Sequence, residues 1–266
     1  MAHNLNVKNG KASMFYSGEV PWHGLGTKLE HPATSSEAIT AAGLDYVVAT
    51  KSLKAVLRTK QYVDVENHFA TIRIDTGAVL GIVGSRYNPI QNHEAFAFFD
   101  SLVGSDEAMY HSAGSLGRGE RIWLLAKLPG CIKVHGEDIV EKYLLLTNSH
   151  DGSMLVRAKL TPIRVVCQNT LTAALEGPEE EVRIRHTPSA CSRIEQAHKL
   201  LGLTNILYSQ LDEIFKSMAQ RSISSHELST YVNNLIPSAS PDSPTTRTIN
   251  IREKSSSSTR LEQVQS

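Results

Sequence analysis

The pattern of apolar and polar residues predicts strands through the middle of the chain and helices toward its carboxyl end. Alternating apolar and polar runs bounded by Gly, Pro, Asn or Asp are typical of strands. They predict strands at Asp45–Ser52, Ala55–Val65, His68–Asp75, Val79–Gly84, Ala108–Ala113, Arg121–Leu128, Ile132–His135, Lys142–Asn148 and Met154–Leu160. Asn67 and Gly77 are expected to form turns in this series. Asp151-Gly152 is a strong hairpin signal, because tight turns need a residue that accepts positive φ.

Apolar residues at helical spacing, preceded by capping residues, predict the helices. The expected N-caps are one of Thr34, Ser35 and Ser36, then Asn92, then Asn169 or Thr170. Longer helical patterns occupy Cys191–Ala219 and Ser225–Leu235. The sequence therefore predicts an α+β protein with a twisted, mainly antiparallel sheet, helices packed on one side of it, and further helices near the carboxyl end.

Three regions are expected along the chain: an ordered N-terminal arm at 1–33, a single α+β domain at 34–235, and a disordered tail at 236–266. The arm is polar and irregular around Trp22-His23-Gly24, and we expect Trp22 to anchor it on the sheet while His23 lies at the surface. The tail is rich in Ser, Pro and Thr, a composition that cannot bury enough apolar surface to fold.

Composition limits the function classes. Lys and Arg total 27 and Asp and Glu total 27, so no net charge attracts nucleic acid and any anion site must be local. The three cysteines lie far apart and form no metal-binding pair, which favours a reducing, cytoplasmic setting. Neither an apolar signal segment nor a membrane-spanning run is present, so we expect a protein with no membrane partner.

Several short blocks occur in an order that resembles a known family. The blocks are Met1-Ala2-His3-Asn4, Lys11-Ala12-Ser13-Met14, Pro21-Trp22-His23-Gly24-Leu25-Gly26-Thr27, Val83-Gly84-Ser85-Arg86-Tyr87 with Gln91-Asn92, Asn148-Ser149-His150-Asp151-Gly152, and Arg164-Val165-Val166-Cys167-Gln168-Asn169-Thr170-Leu171. Together they resemble the phage- and plasmid-like proteins that contain the domain of unknown function number 932. The resemblance implies a mobile-element origin and supplies no catalytic residues. Family members look as if they continue beyond the segment at 250–254 into an apolar stretch, so an atypical or truncated carboxyl end is expected here.

The best local set of basic residues surrounds the Gly-rich segment at 114–121 and a later strand. The set consists of Arg118, Arg121, Arg157, Lys159 and Arg164. Arg157 and Lys159 are two residues apart and therefore share one face of a strand, which suits a phosphate backbone. A solvated surface explains the same residues equally well. Trp22 and Tyr87 are the candidate stacking partners for bases.

Other residues carry candidate chemistry with a structural alternative. His150-Asp151 suits an acid–base pair, but an Asp-Gly turn explains the same residues. Cys167 suits a nucleophile before a helix, but a buried thiol at a strand–helix junction is the favoured interpretation. His23 is a third candidate for proton transfer. No motif for a metal, a nucleotide cofactor or a serine nucleophile is present, so we predict no cofactor, no metal and no catalytic residues.

Three hypotheses follow from the sequence. The first is a non-catalytic protein of a mobile element that binds or anneals single-stranded DNA or RNA, acting in recombination, with a homo-oligomer as an open alternative. The second is an enzyme acting on nucleic acid or nucleotides through His23, His150, Asp151 or Cys167. The third is an inactive or interaction-only remnant.

Overall fold

The computed structural model describes residues 3–31, 33–103, 109–135, 138–176, 181–187, 213–218, 220–221, 223–235, 249–250 and 252. The chain divides into two compact units, Met1–Asp212 and Glu213–Ser266. The strands are β1 (Val7–Lys8), β2 (Lys11–Ala12), β3 (Met14–Ser17), β4 (Thr27–Leu29), β5 (Val48–Val56), β6 (Tyr62–Arg73), β7 (Val79–Gly84), β8 (Met109–Leu116), β9 (Arg121–His135), β10 (Asp138–Ser149), β11 (Val156–Thr161) and β12 (Glu181–Ile184). The helices are α1 (Ser35–Ala42), α2 (Asn92–Val103), α3 (Gln168–Glu176) and α4 (Ser225–Leu235), and residues 213–218 are also helical.

The predicted α+β class is confirmed, with strands that pair mostly antiparallel. The large sheet has the order β12-β11-β10-β9-β8-β3-β4, and among its described strands only β3 and β4 run parallel. A second sheet has the order β5-β6-β7, and β1 and β2 form a short hairpin. The domain boundaries predicted from the sequence stay a prediction. The predicted tail at 236–266 and most of the predicted helix at Cys191–Ala219 fall outside the described residues.

Helices cover both faces of the large sheet. α1 and α2 pack against β8, β9 and β10, on the face that carries Ile122 and Asn148. Side chains on the alternate positions of β9 point to the other face, where Trp123 and Leu125 form a buried cluster with Leu171 and Ala174 of α3. The prediction of helices on one side therefore holds for α1 and α2, while α3 covers the opposite face.

The predicted turn at Asn67 is wrong, and the actual turn lies earlier. β5 and β6 form one long hairpin. In its turn, Leu57 N–H donates to Gln61 O and Lys60 N–H donates to Leu57 O, and Lys60 has a positive φ (62°). Asn67 lies inside β6 at positive φ (58°), in a bulge where the pairing jumps from Ser52–Phe69 to Leu53–Val65. Asn is tolerated at positive φ in turns and bulges alike, so the sequence signal could not separate them.

Two of the expected helix caps also differ in detail. Gln91 accepts the first bond of α2 and its own N–H donates to Glu94, so Asn92 is the first helical residue and its side chain is free for other contacts. In α3 the first bond runs from Leu171 N–H to Cys167 O, and the Thr170 hydroxyl contacts the N–H of Cys167. The cap before α1 is Thr34, as expected, with a reciprocal bond to Glu37.

The two sheets meet at the turns that connect the strands of the large sheet. A Cβ on Gly81 of β7 would lie 2.6 Å from the backbone of Asp151, so only glycine lets β7 pass this close to the β10–β11 turn. At the end of β6, the buried Arg73 donates to Asp75 (2.7 Å) and to the Arg118 carbonyl (3.1 Å). Its guanidinium also lies 3.8 Å from the centre of the Tyr46 ring. These contacts fix the second sheet against the ends of β8 and β10.

Candidate functional site

The end of β7 and the end of β12 form the walls of a cleft of about 540 Å³. We name it the arginine cleft, defined by Asn67, Arg86, Tyr87, Met154, Arg185 and His186. Its parts come from four separated segments: the bulge in β6, the turn after β7, the turn before β11, and the chain that follows β12. The long-range pairing of the strands brings these segments together.

Backbone and ring contacts hold the walls of the arginine cleft in place. The turn after β7 is closed by a bond from Tyr87 N–H to Gly84 O (3.0 Å), and Asn88 N–H donates to His186 O (3.1 Å). The Tyr87 ring stacks on the His186 ring, with 4.8 Å between ring centres. The Tyr87 hydroxyl donates to Ser149 O at 2.8 Å. Tyr87 therefore ties the turn that carries Arg86 to both neighbouring segments.

The positive charge of the cleft comes from two arginines without partners. Arg86 and Arg185 are exposed, and within the described part of the chain neither guanidinium makes a hydrogen bond or an ion pair. A guanidinium presents five donors in a planar fork that matches phosphate and carboxylate oxygens. Two such forks at one cleft suit an anion with several acceptor oxygens.

The imidazole of the cleft is neutral at physiological pH. His186 Nε2 lies 3.2 Å from Met154 O and donates to it, which leaves the buried Nδ1 as an acceptor with no partner in the described residues. Burial lowers the pKa of His186 to about 4. Burial, followed by the charge of Asp151, raises the pKa of the Tyr87 hydroxyl above its ordinary value. The charge of this cleft therefore depends on its arginines and stays constant across the physiological range.

His150, in the turn after β10, is fully buried. Its ring nitrogen Nε2 lies 2.8 Å from Asn92 Oδ1, and its backbone N–H donates to the backbone carbonyl of Glu120. Burial, followed by the charge of His186, lowers the pKa of His150 to about 3. The Asp151 carboxylate accepts a bond from Ser153 N–H in the turn. Asp151 and His150 thus have separate structural contacts in this structure.

Cys167 and His23 are also held in structural contacts. The Cys167 side chain is fully buried in the cluster under α3, with Sγ 3.5 Å from Thr170 Oγ1. His23 accepts a bond from Leu25 N–H and lies 3.1 Å from Val166 O, so both ring nitrogens have partners. Trp22 is 66% exposed, so the expected arrangement of the arm is reversed: His23 anchors it and Trp22 lies at the surface.

A smaller polar cleft of about 310 Å³ lies between the β8–β9 turn and the start of α3. Its lining includes Arg121, Glu120, Asp151 and Gln168. Arg121 is half-buried, and its side chain makes no hydrogen bond or ion pair to the described residues. Arg118 on the same turn is exposed and contacts the Glu120 carboxylate at 2.8 Å. The Gly-rich segment therefore forms a defined turn in which one predicted cation is paired and the other faces the polar cleft.

Of the other predicted phosphate contacts, Arg157 and Lys159 lie on the covered face of the sheet and Arg164 lies in the connection between β11 and α3. Arg157 pairs with Glu181 at 2.6 Å and donates to Leu175 O of α3, and Lys159 is only 2% exposed. Arg164 donates to the carbonyls of Ser17 (3.1 Å) and Glu19 (2.6 Å). Phosphate contact by these residues stays a prediction, and each would first have to leave an intramolecular partner.

Neither arginine of the arginine cleft was among the phosphate contacts predicted from the sequence. Arg86 precedes Tyr87 in the Gly84-Ser85-Arg86-Tyr87 turn, so a charged residue beside a candidate aromatic was the available signal. Arg185 gave no signal, because it lies about a hundred residues farther along the chain and only the β11–β12 pairing places it nearby.

Neither a membrane-spanning helix nor a cluster of metal ligands is present in the described residues. No helix there has both the length and the apolar composition needed to cross a bilayer. No group of three or more His, Cys, Asp or Glu residues in those ranges is arranged to hold a metal ion.

A family model described as Domain of unknown function (DUF932) matches residues 79–265. The matched region includes β7, Arg86, the His150 turn and α3. The blocks before residue 79, around His3 and Trp22, lie outside it. No curated protein and no solved structure matches the chain.

Proposed function

The chain belongs to the Domain of unknown function (DUF932) family, and this membership supplies no activity. From the arginine cleft we propose that the protein binds single-stranded nucleic acid without catalysing a reaction. The observation that carries this proposal is the pair Arg86 and Arg185, both exposed and unpaired within the described residues. In the proposed complex they contact phosphate oxygens of the bound strand.

The dimensions and chemistry of the cleft support this proposal. A volume of about 540 Å³ falls within the roughly 300–1,000 Å³ in which proteins hold small ligands, so the cleft has room for a nucleotide unit. Arginine forks recognise phosphate with two parallel bonds, and a bound polyanion releases counterions. We assign Tyr87 the role of positioning Arg86, since one face of its ring is already covered by His186.

The biological setting is a further part of the proposal. The resemblance to phage- and plasmid-like proteins suggests a mobile element, in which single strands arise during recombination. We propose annealing or protection of such strands as the step that this binding serves. Arg118 and Arg121, at the neighbouring turn, are proposed as secondary phosphate contacts.

Binding of a fluorescent oligothymidylate, measured by polarization across a salt series, tests the proposal. A charge-assisted hydrogen bond contributes about 1.5–3 kcal/mol, so each lost arginine contact should weaken binding roughly 10–100-fold, and the Arg86→Ala/Arg185→Ala variant should bind at least about 100-fold more weakly. The slope of log affinity against log salt should fall by about 0.7 for each lost phosphate contact on a single strand.

Arg221→Ala is the matched control, because Arg221 is an exposed arginine of α4's unit that pairs with Glu227. It should leave affinity and salt slope unchanged. A folded double variant that binds like the unmodified protein would contradict the proposal, as would an unmodified protein that binds no oligonucleotide at low salt.

The enzyme alternative has no supporting observation in the described residues. A general base or nucleophile must reach its substrate. His150 and Cys167 are fully buried, and His23 has both ring nitrogens occupied. The interaction-only alternative depends on the carboxyl end, which lies mostly outside the described residues.

A further inference from the structure

The outer half of the β5–β6 hairpin extends beyond the rest of its sheet. We name residues 53–65 the β-arm. Its large apolar side chains are exposed on both faces of the ribbon: Val56 (64%), Tyr62 (69%) and Val63 (47%). The bulge at 66–68 separates the β-arm from the inner half of the hairpin, where Ala70 and Thr71 are buried.

The β-arm is locally basic in a chain with no net charge. It contains Lys54, Arg58 and Lys60 against a single acidic residue, Asp64. Lys54 and Asp64 pair at 3.7 Å, but both are exposed, so this pair holds Lys54 weakly. The side chains of Arg58 and Lys60, in and beside the turn, have no hydrogen bond or ion pair to any described residue. The end of the β-arm therefore presents two free cations.

Apolar and aromatic surface accompanies this charge. Cross-strand pairs place Leu53, Ala55, Val63 and Val65 on one face and Val56 and Tyr62 on the other. Exposed apolar area of this kind is typical of an interaction surface. The partner must offer apolar faces as well as negative charge. Unpaired bases on a phosphate backbone offer both, whereas a duplex hides its base faces by stacking.

The β-arm also continues from the arginine cleft. Asn67, in the bulge at the base of the β-arm, is itself a lining residue of that cleft. A strand rises about 3.3 Å per residue, so the β-arm extends the surface by roughly 15 Å beyond this point. A single strand leaving the cleft past Asn67 would run along the ribbon.

We propose that the β-arm is the second half of the nucleic-acid interface, with Tyr62 stacking on an unpaired base and Arg58 and Lys60 contacting phosphates. This inference rests on the proposed function and specifies it: the substrate is single-stranded, and it is longer than the cleft alone can hold.

The test compares short and long oligothymidylates and a duplex of the long length. The variants are Arg58→Ala/Lys60→Ala/Tyr62→Ala in the β-arm and Arg86→Ala/Arg185→Ala in the cleft. The β-arm variant should bind an oligonucleotide of about five nucleotides like the unmodified protein. It should bind one of about twenty nucleotides roughly tenfold more weakly, and it should lose most of the preference for single strand over duplex.

Failure of the inference differs from failure of the proposed function. Unchanged binding of the long oligonucleotide by the β-arm variant, together with weakened binding by the cleft variant, would overturn the β-arm alone. No binding by the unmodified protein would overturn both. A further variant, Leu53→Ser/Val63→Ser/Val65→Ser, tests the apolar face. If it changes the molecular mass in light scattering and leaves binding intact, the β-arm contacts a second copy of the chain and the inference is wrong.

Discussion

The covered face of the large sheet and the arginine cleft both contain basic residues, but they differ in what surrounds each cation. On β11, Arg157 lies beneath α3 with Glu181 and the Leu175 carbonyl as partners, and Lys159 is 2% exposed. At the cleft, Arg86 and Arg185 are exposed and have no partner in the described residues. The position of a basic residue on a strand face therefore predicts a binding role only when nothing packs on that face. Substitution of a basic residue on the covered face should therefore lower stability, whereas substitution of an arginine in the cleft should lower affinity for nucleic acid.

Acid should have the largest effect, and it should act on stability through three of the buried histidines, of which His186 lines the arginine cleft. The folded pKa is about 3 for His150 and about 4 for His111 and His186, against an ordinary value of 6.5. As the pH falls below 6.5, the unfolded chain therefore binds protons that the folded chain does not. The free energy of unfolding should be constant above about pH 7 and should decrease as the pH falls toward 4, by several kcal/mol in total at about 1.4 kcal/mol per pKa unit.

Urea unfolding between pH 7.5 and pH 4.5 checks this expectation. The lowered pKa values of Asp75 and Glu141 begin from ordinary values of 3.8 and 4.5, so these carboxylates act mainly below this window. His150→Gln should reduce the pH dependence of the free energy of unfolding, because His150 has the most strongly lowered pKa of the three histidines. A free energy of unfolding that is level down to pH 4.5 would show that the imidazoles are not held neutral by burial.

Arg157→Ala should have the next largest effect, again on stability. It leaves the mostly buried Glu181 carboxylate with Arg183 as its remaining described partner and removes the bond to Leu175 O. Breaking a largely buried ion pair costs more than its net contribution, so a loss of about 2–3 kcal/mol is expected. The urea midpoint at constant slope measures it. Arg86→Ala is the control and should change stability by less than about 0.5 kcal/mol, as exposed substitutions do. Equal losses would remove the distinction between the two regions.

The sequence predicted the class of fold because the alternation of apolar residues along the strands is local. It also located the Asp151-Gly152 turn and limited the α1 cap to Thr34, Ser35 or Ser36, of which Thr34 is the cap in the structure. The turn at Asn67 was misplaced because a bulge and a turn need the same backbone angles. Local sequence patterns predict the backbone conformation of a residue. They do not predict which distant residue it contacts.

The candidate site was harder to predict for that reason. The sequence could pair Arg157 with Lys159 on one strand, but it could not show that α3 packs over them. Tyr87 was identified as a candidate, and it does line the cleft. Its role beside Arg86 and opposite Arg185 depends on the contact between the turn after β7 and the end of β12. Such contacts follow from the topology of the sheets, and no short motif records them.

Tyr87→Phe should have a moderate effect that separates positioning from direct contact. The change removes the bond to Ser149 O and keeps the ring that stacks on His186. A loss of about 1 kcal/mol in stability is expected from one neutral hydrogen bond. Oligonucleotide affinity should fall about threefold, because Arg86 is then held less firmly, while the salt slope stays the same. A lower salt slope would instead place the hydroxyl among the groups that contact the strand.

Arg86→Lys should have the smallest effect and is the most specific test of the arginine cleft. Lysine keeps the charge but offers a single ammonium in place of a planar fork with two parallel donors. The salt slope counts neutralised phosphates, so it should stay within error of that of the unmodified protein. Affinity should fall about threefold, because the geometry of the contact is lost and the charge is not. Polarization titrations at several salt concentrations resolve the two quantities. An unchanged affinity would mean that Arg86 acts only as a point charge, and an affinity as low as that of Arg86→Ala would mean that the fork accounts for the whole contribution of this residue.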